Sequence, residues 1–177
     1  MKQKNIKQII LEHYFINPSS KMRVRQIERE LKIPLPSIIR YTKELEKEKL
    51  LSKLTIDKVV FYTASRDSKK FLLEKKLFNV KVLCDSGLID YLIDYLSNPS
   101  IVIFGSFSKG EDIESSDIDL YIETPSKKEI NLEKFEKLLK RKIQIFKQKQ
   151  ISDIKNPHLI NNILNGITLN GIIEVIK

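Results

Sequence analysis

Apolar residues recur along the chain first at helical and then at strand spacing. Ile6, Ile9, Ile10 and Leu11 share one face, closed by Tyr14 and Phe15, which predicts a helix over residues 4–15. Asn17-Pro-Ser-Ser20 interrupts it as a loop. Val24, Ile27 and Leu31 mark a second helix, with Arg23, Arg25, Glu28 and Arg29 outside. Ile33-Pro-Leu-Pro36 makes a short turn, and Pro36, whose missing N–H costs nothing in a first turn, opens a third helix from Ser37 to Lys49. That helix packs through Ile38, Leu45 and either Tyr41 or Thr42. Residues 50–56 and 59–64 are then rich in apolar and β-branched side chains. They read as a hairpin joined at Asp57-Lys58.

Beyond residue 65 the helical pattern returns. Phe71, Leu72, Leu73, Leu77 and Phe78 predict a connecting helix over 66–79, and Asp85-Ser86 caps another over 87–96. Ile101-Val-Ile-Phe104 has no polar alternation at all, the mark of a strand covered on both faces. Gly105-Ser106 ends it, and Ser115-Ser-Asp-Ile-Asp-Leu-Tyr-Ile122 forms a second strand. A helix over 130–140 with Leu132, Phe135, Leu138 and Leu139 inward follows, then a strand at 142–146, a helix at 157–165 and a short apolar finish. Neither internal repeat nor low-complexity tract interrupts the series. The pattern predicts an α+β protein in two parts, residues 1–66 and 85–177, joined through 67–84.

Composition narrows the class. The 41% apolar content supplies cores for 177 residues, and the single Cys84 and two histidines offer no disulfide and no zinc-ligand spacing. The apolar runs fall short of the roughly 18 residues that span a bilayer. The N-terminal segment mixes lysines with isoleucines rather than building the apolar core of a signal peptide. A soluble, cytoplasmic protein without membrane association is therefore expected. The net charge of +9 is uneven: residues 1–66 hold 15 Lys/Arg against 7 Asp/Glu, and residues 67–177 hold 17 against 16.

A basic first third with the order helix, helix, turn, helix, hairpin resembles a winged helix-turn-helix over residues 1–65. The resemblance implies that the third helix enters the major groove of double-stranded DNA with Ser37, Arg40 and Lys43 outward. Lys53 and Lys58 on the wing then meet phosphates. Other readings stand beside it. Arg40 and Lys43 can simply pair with Glu44 and Glu46 on a solvated face, the lysines can serve solubility, and winged helices also bind proteins. A homodimer fits a DNA reader that uses paired half-sites.

The chemistry concentrates in the second part. Gly105 admits a close approach to the backbone, Ser106 offers a hydroxyl and an amide, Lys109 a positive charge, and Gly110 a tight exit. Asp117 and Asp119, two apart on a strand, leave the same face about 7 Å apart along it. Paired carboxylates suit Mg²⁺ shared with substrate phosphates. The combined run Gly-Ser-Phe-Ser-Lys-Gly, a short gap, then Ser-Asp-Ile-Asp-Leu is similar to the minimal nucleotidyltransferases of the DNA polymerase beta superfamily, as is the ending Ile163-Leu-Asn-Gly-Ile-Thr-Leu169. The resemblance implies a nucleoside triphosphate on Gly105 and Ser106 with Lys109 on phosphate. It also implies catalytic Mg²⁺ or Mn²⁺ on Asp117 and Asp119.

One position departs from that pattern. The family's third carboxylate lies on the next strand, where this chain has Lys142-Ile-Gln-Ile-Phe146 and therefore Gln144. Glutamine is neutral and cannot take a proton. Asp153, the nearest later acid, falls in a loop. Two functions follow from this pattern. One is a metal-dependent transfer of a nucleoside monophosphate to a hydroxyl acceptor. The other is a DNA-binding regulator or antitoxin-like protein that uses the transferase fold as a nucleotide or partner sensor.

Overall fold

The computed structural model describes residues 5–175. The chain divides into two compact units, Met1–Phe78 and Asn79–Lys177. In the first, α1 (Ile6–Ile16) starts at Asn5, whose side chain accepts the Lys7 amide; the start foreseen at residue 4 lies outside the described residues. β1 (Lys21–Met22), α2 (Val24–Leu31) and α3 (Leu35–Lys47) follow. α3 begins two residues before Ser37, with Pro34 as its cap and Pro36 inside the first turn. β2 (Leu51–Ile56) and β3 (Val59–Ala64) pair from Leu51↔Ala64 to Ile56↔Val59. The turn residues Asp57 and Lys58 both have positive φ, 47° and 65°, the conformation that matches hairpin twist.

The sheet of this unit is antiparallel in the order β1-β3-β2. β1 was not anticipated, because two residues are too few to show a period. It exists by pairing Lys21 with Thr63 and Met22 with Tyr62. Ile10, Tyr14, Phe15, Ile27, Ile38, Leu45, Leu51, Tyr62 and Phe71 form the core. Two of the unit's buried hydroxyls find backbone acceptors. The Tyr14 hydroxyl donates to the Tyr62 carbonyl at 3.2 Å, and Thr42 donates to the Ile38 carbonyl at 2.7 Å.

The division between the units falls within α4 (Lys69–Asp85), which runs six residues past the expected end at residue 79. Asp85 is thus the last residue of α4 rather than a cap. Gly87 is the N-cap of α5 (Leu88–Tyr95), and Ser86 before it accepts the Leu88 amide at 3.2 Å. The second unit continues with β4 (Ser100–Phe104), α6 (Gly105–Lys109), β5 (Ile118–Glu123), α7 (Glu133–Leu139) and β6 (Ile143–Gln148). A 3₁₀ turn at Ile151–Asp153, α8 (Pro157–Leu164) and β7 (Ile167–Asn170) complete it. α7 is shorter than expected, and Leu138 faces solvent rather than the core, 59% exposed.

The strands make one mixed sheet, β6-β5-β4-β7, in which only β5 and β6 run parallel. Period-two alternation divides its side chains between two apolar layers. Ile101, Ile103, Ile118, Leu120, Ile122 and Ile143 pack with Leu88, Leu92 and Phe135 of α5 and α7. Val102, Phe104 and Tyr121 pack on the opposite face with Ile151, Ile154 and Ile163. Burial on both sides accounts for the uninterrupted apolar run of β4: Ile101 through Phe104 are all buried. Helices, one antiparallel sheet and one mixed sheet together make an α+β architecture.

Candidate active site

The site lies where β4 ends and β5 and β6 begin. Phe104 pairs with Asp119 across the antiparallel β4–β5 ladder, and Asp119 pairs with Gln144 across the parallel β5–β6 ladder. Phe104, Asp119 and Gln144 therefore form one row across three strands. Laterally paired residues share a face, here the face that carries Phe104, Tyr121 and Phe146. The register thus sets Gln144 directly beside Asp119, the place where a third carboxylate was expected.

Gly105 turns the chain directly behind this row. Its φ of +70° is left-handed. A Cβ built there would stand 2.3 Å from Asp119 Oδ2 and 3.3 Å from its Cγ. Only glycine lets the backbone lie this close to the carboxylate. Helix begins at Gly105 itself rather than after a separate Gly-Ser turn: α6 is five residues long. Ser108 donates to the Gly105 carbonyl at 2.9 Å. Gly110, also left-handed at φ +74°, ends the helix, and Glu111 N–H reaches back to the Ser106 carbonyl at 3.0 Å, a glycine stop of Schellman type. Ser106 is half-buried and Lys109 exposed.

Asp117 sits one residue before β5, not on it, and is exposed. Asp119 is half-buried, and its pKa is raised, first by burial and then by repulsion from Asp117. The two carboxylates thus form a concentrated negative site that a cation relieves. They are the donors that fit a divalent metal. Among the described residues no group of three or more His, Cys, Asp or Glu has metal-ligating proximity, in keeping with Gln144 in the third place. Asp153 is engaged elsewhere, accepting the Gln150 amide at 3.2 Å.

Sequence reasoning missed the residues that hold this loop. The α6–β5 connector is anchored by Asp112, fully buried, whose Oδ2 pairs with Arg141 at 2.9 Å and whose Oδ1 accepts from Asn79 at 2.7 Å. Asn79 also donates to the Phe107 carbonyl at 2.9 Å. Arg141 donates to the carbonyls of Ile113 and Ser116 and lies 5.7 Å from the Phe107 ring centroid. One guanidinium therefore ties α6, the connector and the start of β6 together and sets where Asp117 stands. Arg141 looks in the sequence like one more member of a lysine-rich run. Only the tertiary fold brings it beside an acid 29 positions earlier.

The residues proposed for DNA lie on the first unit. Arg40 and Lys43 are exposed on α3, Ser37 is half-buried, and Lys53 and Lys58 are exposed on the hairpin. Arg40 pairs with Glu44 at 2.9 Å over the Tyr41 ring, and Lys53 pairs with Glu46 at 2.7 Å. The hydrogen bond that Arg40 donates to Glu44 is the main reason its pKa is raised. No helix among the described residues is long and apolar enough to cross a membrane.

Comparison with known proteins finds a similarity within the second unit. Residues 86–169 match the family of nucleotidyltransferase domains. That span contains Gly105, Ser106, Lys109, Asp117, Asp119 and Gln144. No curated protein and no solved structure matches the chain.

Proposed function

We propose that the second unit binds a nucleoside triphosphate with Mg²⁺ or Mn²⁺ and transfers its nucleoside monophosphate to a hydroxyl acceptor. One observation carries the reading: within a nucleotidyltransferase domain, the Gly105 backbone lies against the Asp119 carboxylate, with Asp117 two residues before it. Gly105 keeps the backbone open to a phosphate, Ser106 supplies an amide and a hydroxyl, and Lys109 adds a point charge without arginine's bidentate fork. Asp117 and Asp119 hold the cation. When bound, it neutralises phosphate charge and polarises the phosphoryl oxygens. Arg141, through Asp112 and the connector carbonyls, keeps the loop from shifting when the charged ligand arrives.

Gln144 supports a second reading, since it stands in register with Asp119 where a proton-accepting carboxylate would serve. In that reading the chain binds nucleotide without turnover and acts as a regulator, with the first unit docking on duplex DNA through Ser37, Arg40, Lys43, Lys53 and Lys58, as a homodimer or with a protein partner. The support for DNA binding is the winged order of elements and the exposed cations of α3 and the hairpin. A single assay separates the two. Wild type and Gln144→Asp are incubated with radiolabelled nucleoside triphosphates, Mg²⁺ or Mn²⁺ and a panel of acceptors. Pyrophosphate release and labelled product from wild type are expected; product from Gln144→Asp alone would establish the regulator instead.

A further inference from the structure

The β2–β3 hairpin presents an apolar face that its own unit leaves uncovered. Across the ladder Leu54 stands opposite Phe61 and Ile56 opposite Val59, so these four side chains share one side of the sheet. Ser52 and Thr63 lie on that side too. The other side carries Leu51, Tyr62 and Ala64, which belong to the core. Among the described residues, Leu54, Ile56, Val59 and Phe61 pack into no core. Ile56 is 45% exposed, and the other three are half-buried. A solvent-facing row of an antiparallel sheet is ordinarily polar.

β2 is also an outer strand. In the order β1-β3-β2, no further strand of the described residues lies along its far edge. The devices that commonly protect such an edge are missing from it. Leu51–Ile56 holds no proline, no glycine and one lysine, and its register runs without a bulge. That lysine, Lys53, lies on the side of Tyr62 and is held by Glu46 at 2.7 Å. An open edge beside an exposed apolar face suits the addition of a strand.

Charge selects the occupant. On the apolar side, Lys21 lies beside Thr63, and the Arg23 guanidinium stands 5.5 Å from the Phe61 ring centroid. Lys58 sits at the turn, where Asp57 is the one acid of the hairpin. At the base of the strand a cavity of about 650 Å³ is lined by Lys49, Lys53 and Arg66 against Glu46 and Asp67. Cations thus outnumber acids around β2. A second copy of this chain brings the same cations and is repelled. A phosphate backbone finds no hydrogen-bond donor on the side chains of Leu54, Ile56, Val59 and Phe61. We infer that the outer edge of β2 takes a strand from a partner protein, one that alternates apolar and acidic residues.

Main-chain hydrogen bonds along β2 hold the added strand, and its side chains alternate between the two faces of the sheet. The apolar row extends the surface beside Leu54 and Ile56 and covers them. The acidic row falls on the side of Lys53, where it competes with Glu46 for the ammonium. This inference is independent of the transferase reading, and it leaves α3 available for the duplex of the regulator reading.

The test is fluorescence anisotropy of the full chain with two fluorescein-labelled octapeptides, one alternating valine and glutamate, the other valine and lysine. The glutamate peptide is expected to bind saturably, and the lysine peptide at least about tenfold more weakly. A glutamate peptide N-methylated throughout, which cannot donate to the strand edge, should also lose about tenfold or more. In the protein, Leu54→Ser/Ile56→Ser is expected to weaken the glutamate peptide about tenfold. Ile56→Ser alone, at an exposed position, gives a smaller loss and serves where the double variant does not fold. Equal affinity for the glutamate and lysine peptides, full binding of the N-methylated peptide, or unchanged affinity in both variants overturns the inference. A wild-type dimer in sedimentation that Ile56→Ser disperses assigns the face to a second copy and overturns it as well. So does a DNA duplex that loses affinity in the same variants, which assigns the face to nucleic acid.

Discussion

At the scale of single residues, the site trades stability for charge. The Asp119 carboxyl has a raised pKa because it is partly buried and faces Asp117. Between the ordinary carboxylate pKa and the raised one, the folded chain keeps a proton that the unfolded chain has released. Folding then takes up protons, so stability falls as pH rises through that window. Asp119→Asn removes the charge. Its melting temperature is expected to exceed that of wild type at pH 7–8, with the gap closing as pH falls below about 4. Differential scanning calorimetry over that range checks this; a variant less stable than wild type at every pH would contradict it. Gly105, Asp117 and Asp119 stood out in the sequence as a glycine ending an apolar run and two acids at the start of the next apolar run, and Gln144 stood out only through the resemblance, as the residue at the third-carboxylate position. Asp112, Asn79 and Arg141 were not legible. Their roles arise from proximity between distant positions, and a charged residue carries no local sign that it will be buried.

At the scale of elements, the turn between β2 and β3 shows what local pattern can and cannot say. The hairpin was evident from its two runs and the break at Asp57-Lys58. Its conformation was less so, since both turn residues adopt left-handed φ without a glycine. Lysine carries a steric cost there that glycine escapes. Lys58→Gly is expected to stabilise the chain by about 0.5–1 kcal/mol, the cost of a left-handed non-glycine residue less glycine's entropy. Urea denaturation followed by circular dichroism measures it, and a destabilised variant would refute the turn geometry. Long periodic elements were legible throughout. β1 and the second half of α4 were not. β1 is defined by its partner strand. The apolar spacing that marks α4 weakens after Phe78, where Lys81, Asp85 and a half-buried Val80 give no clear stripe.

At the scale of the whole molecule, charge and chemistry divide along the chain. The first unit carries exposed cations on α3 and the hairpin, and the second carries an acidic pair and, over residues 137–158, a basic block. The sequence total of +9 concealed the second arrangement, because near-neutrality after residue 66 averages an acidic block against a basic one. Only the order of strands puts β6, in the middle of that basic block, on an outer edge, with Lys142 beside Asp117. The match of residues 86–169 to the nucleotidyltransferase domain family supports the class of chemistry proposed for the second unit. The row Phe104–Asp119–Gln144, with Gly105 behind it, is where that chemistry is proposed.

Nucleotide and Mg²⁺ are proposed to meet in the cradle made by Gly105, Ser106, Asp117 and Asp119. Isothermal titration calorimetry of a nucleoside triphosphate into the full chain, with and without Mg²⁺, tests it, with Asp117→Asn/Asp119→Asn as the comparison. Saturable binding that needs Mg²⁺ is expected in wild type, with a loss of at least about 100-fold in the double variant, since two charge-bearing ligands are removed. Equal affinity in the two proteins, or binding indifferent to Mg²⁺, would contradict it.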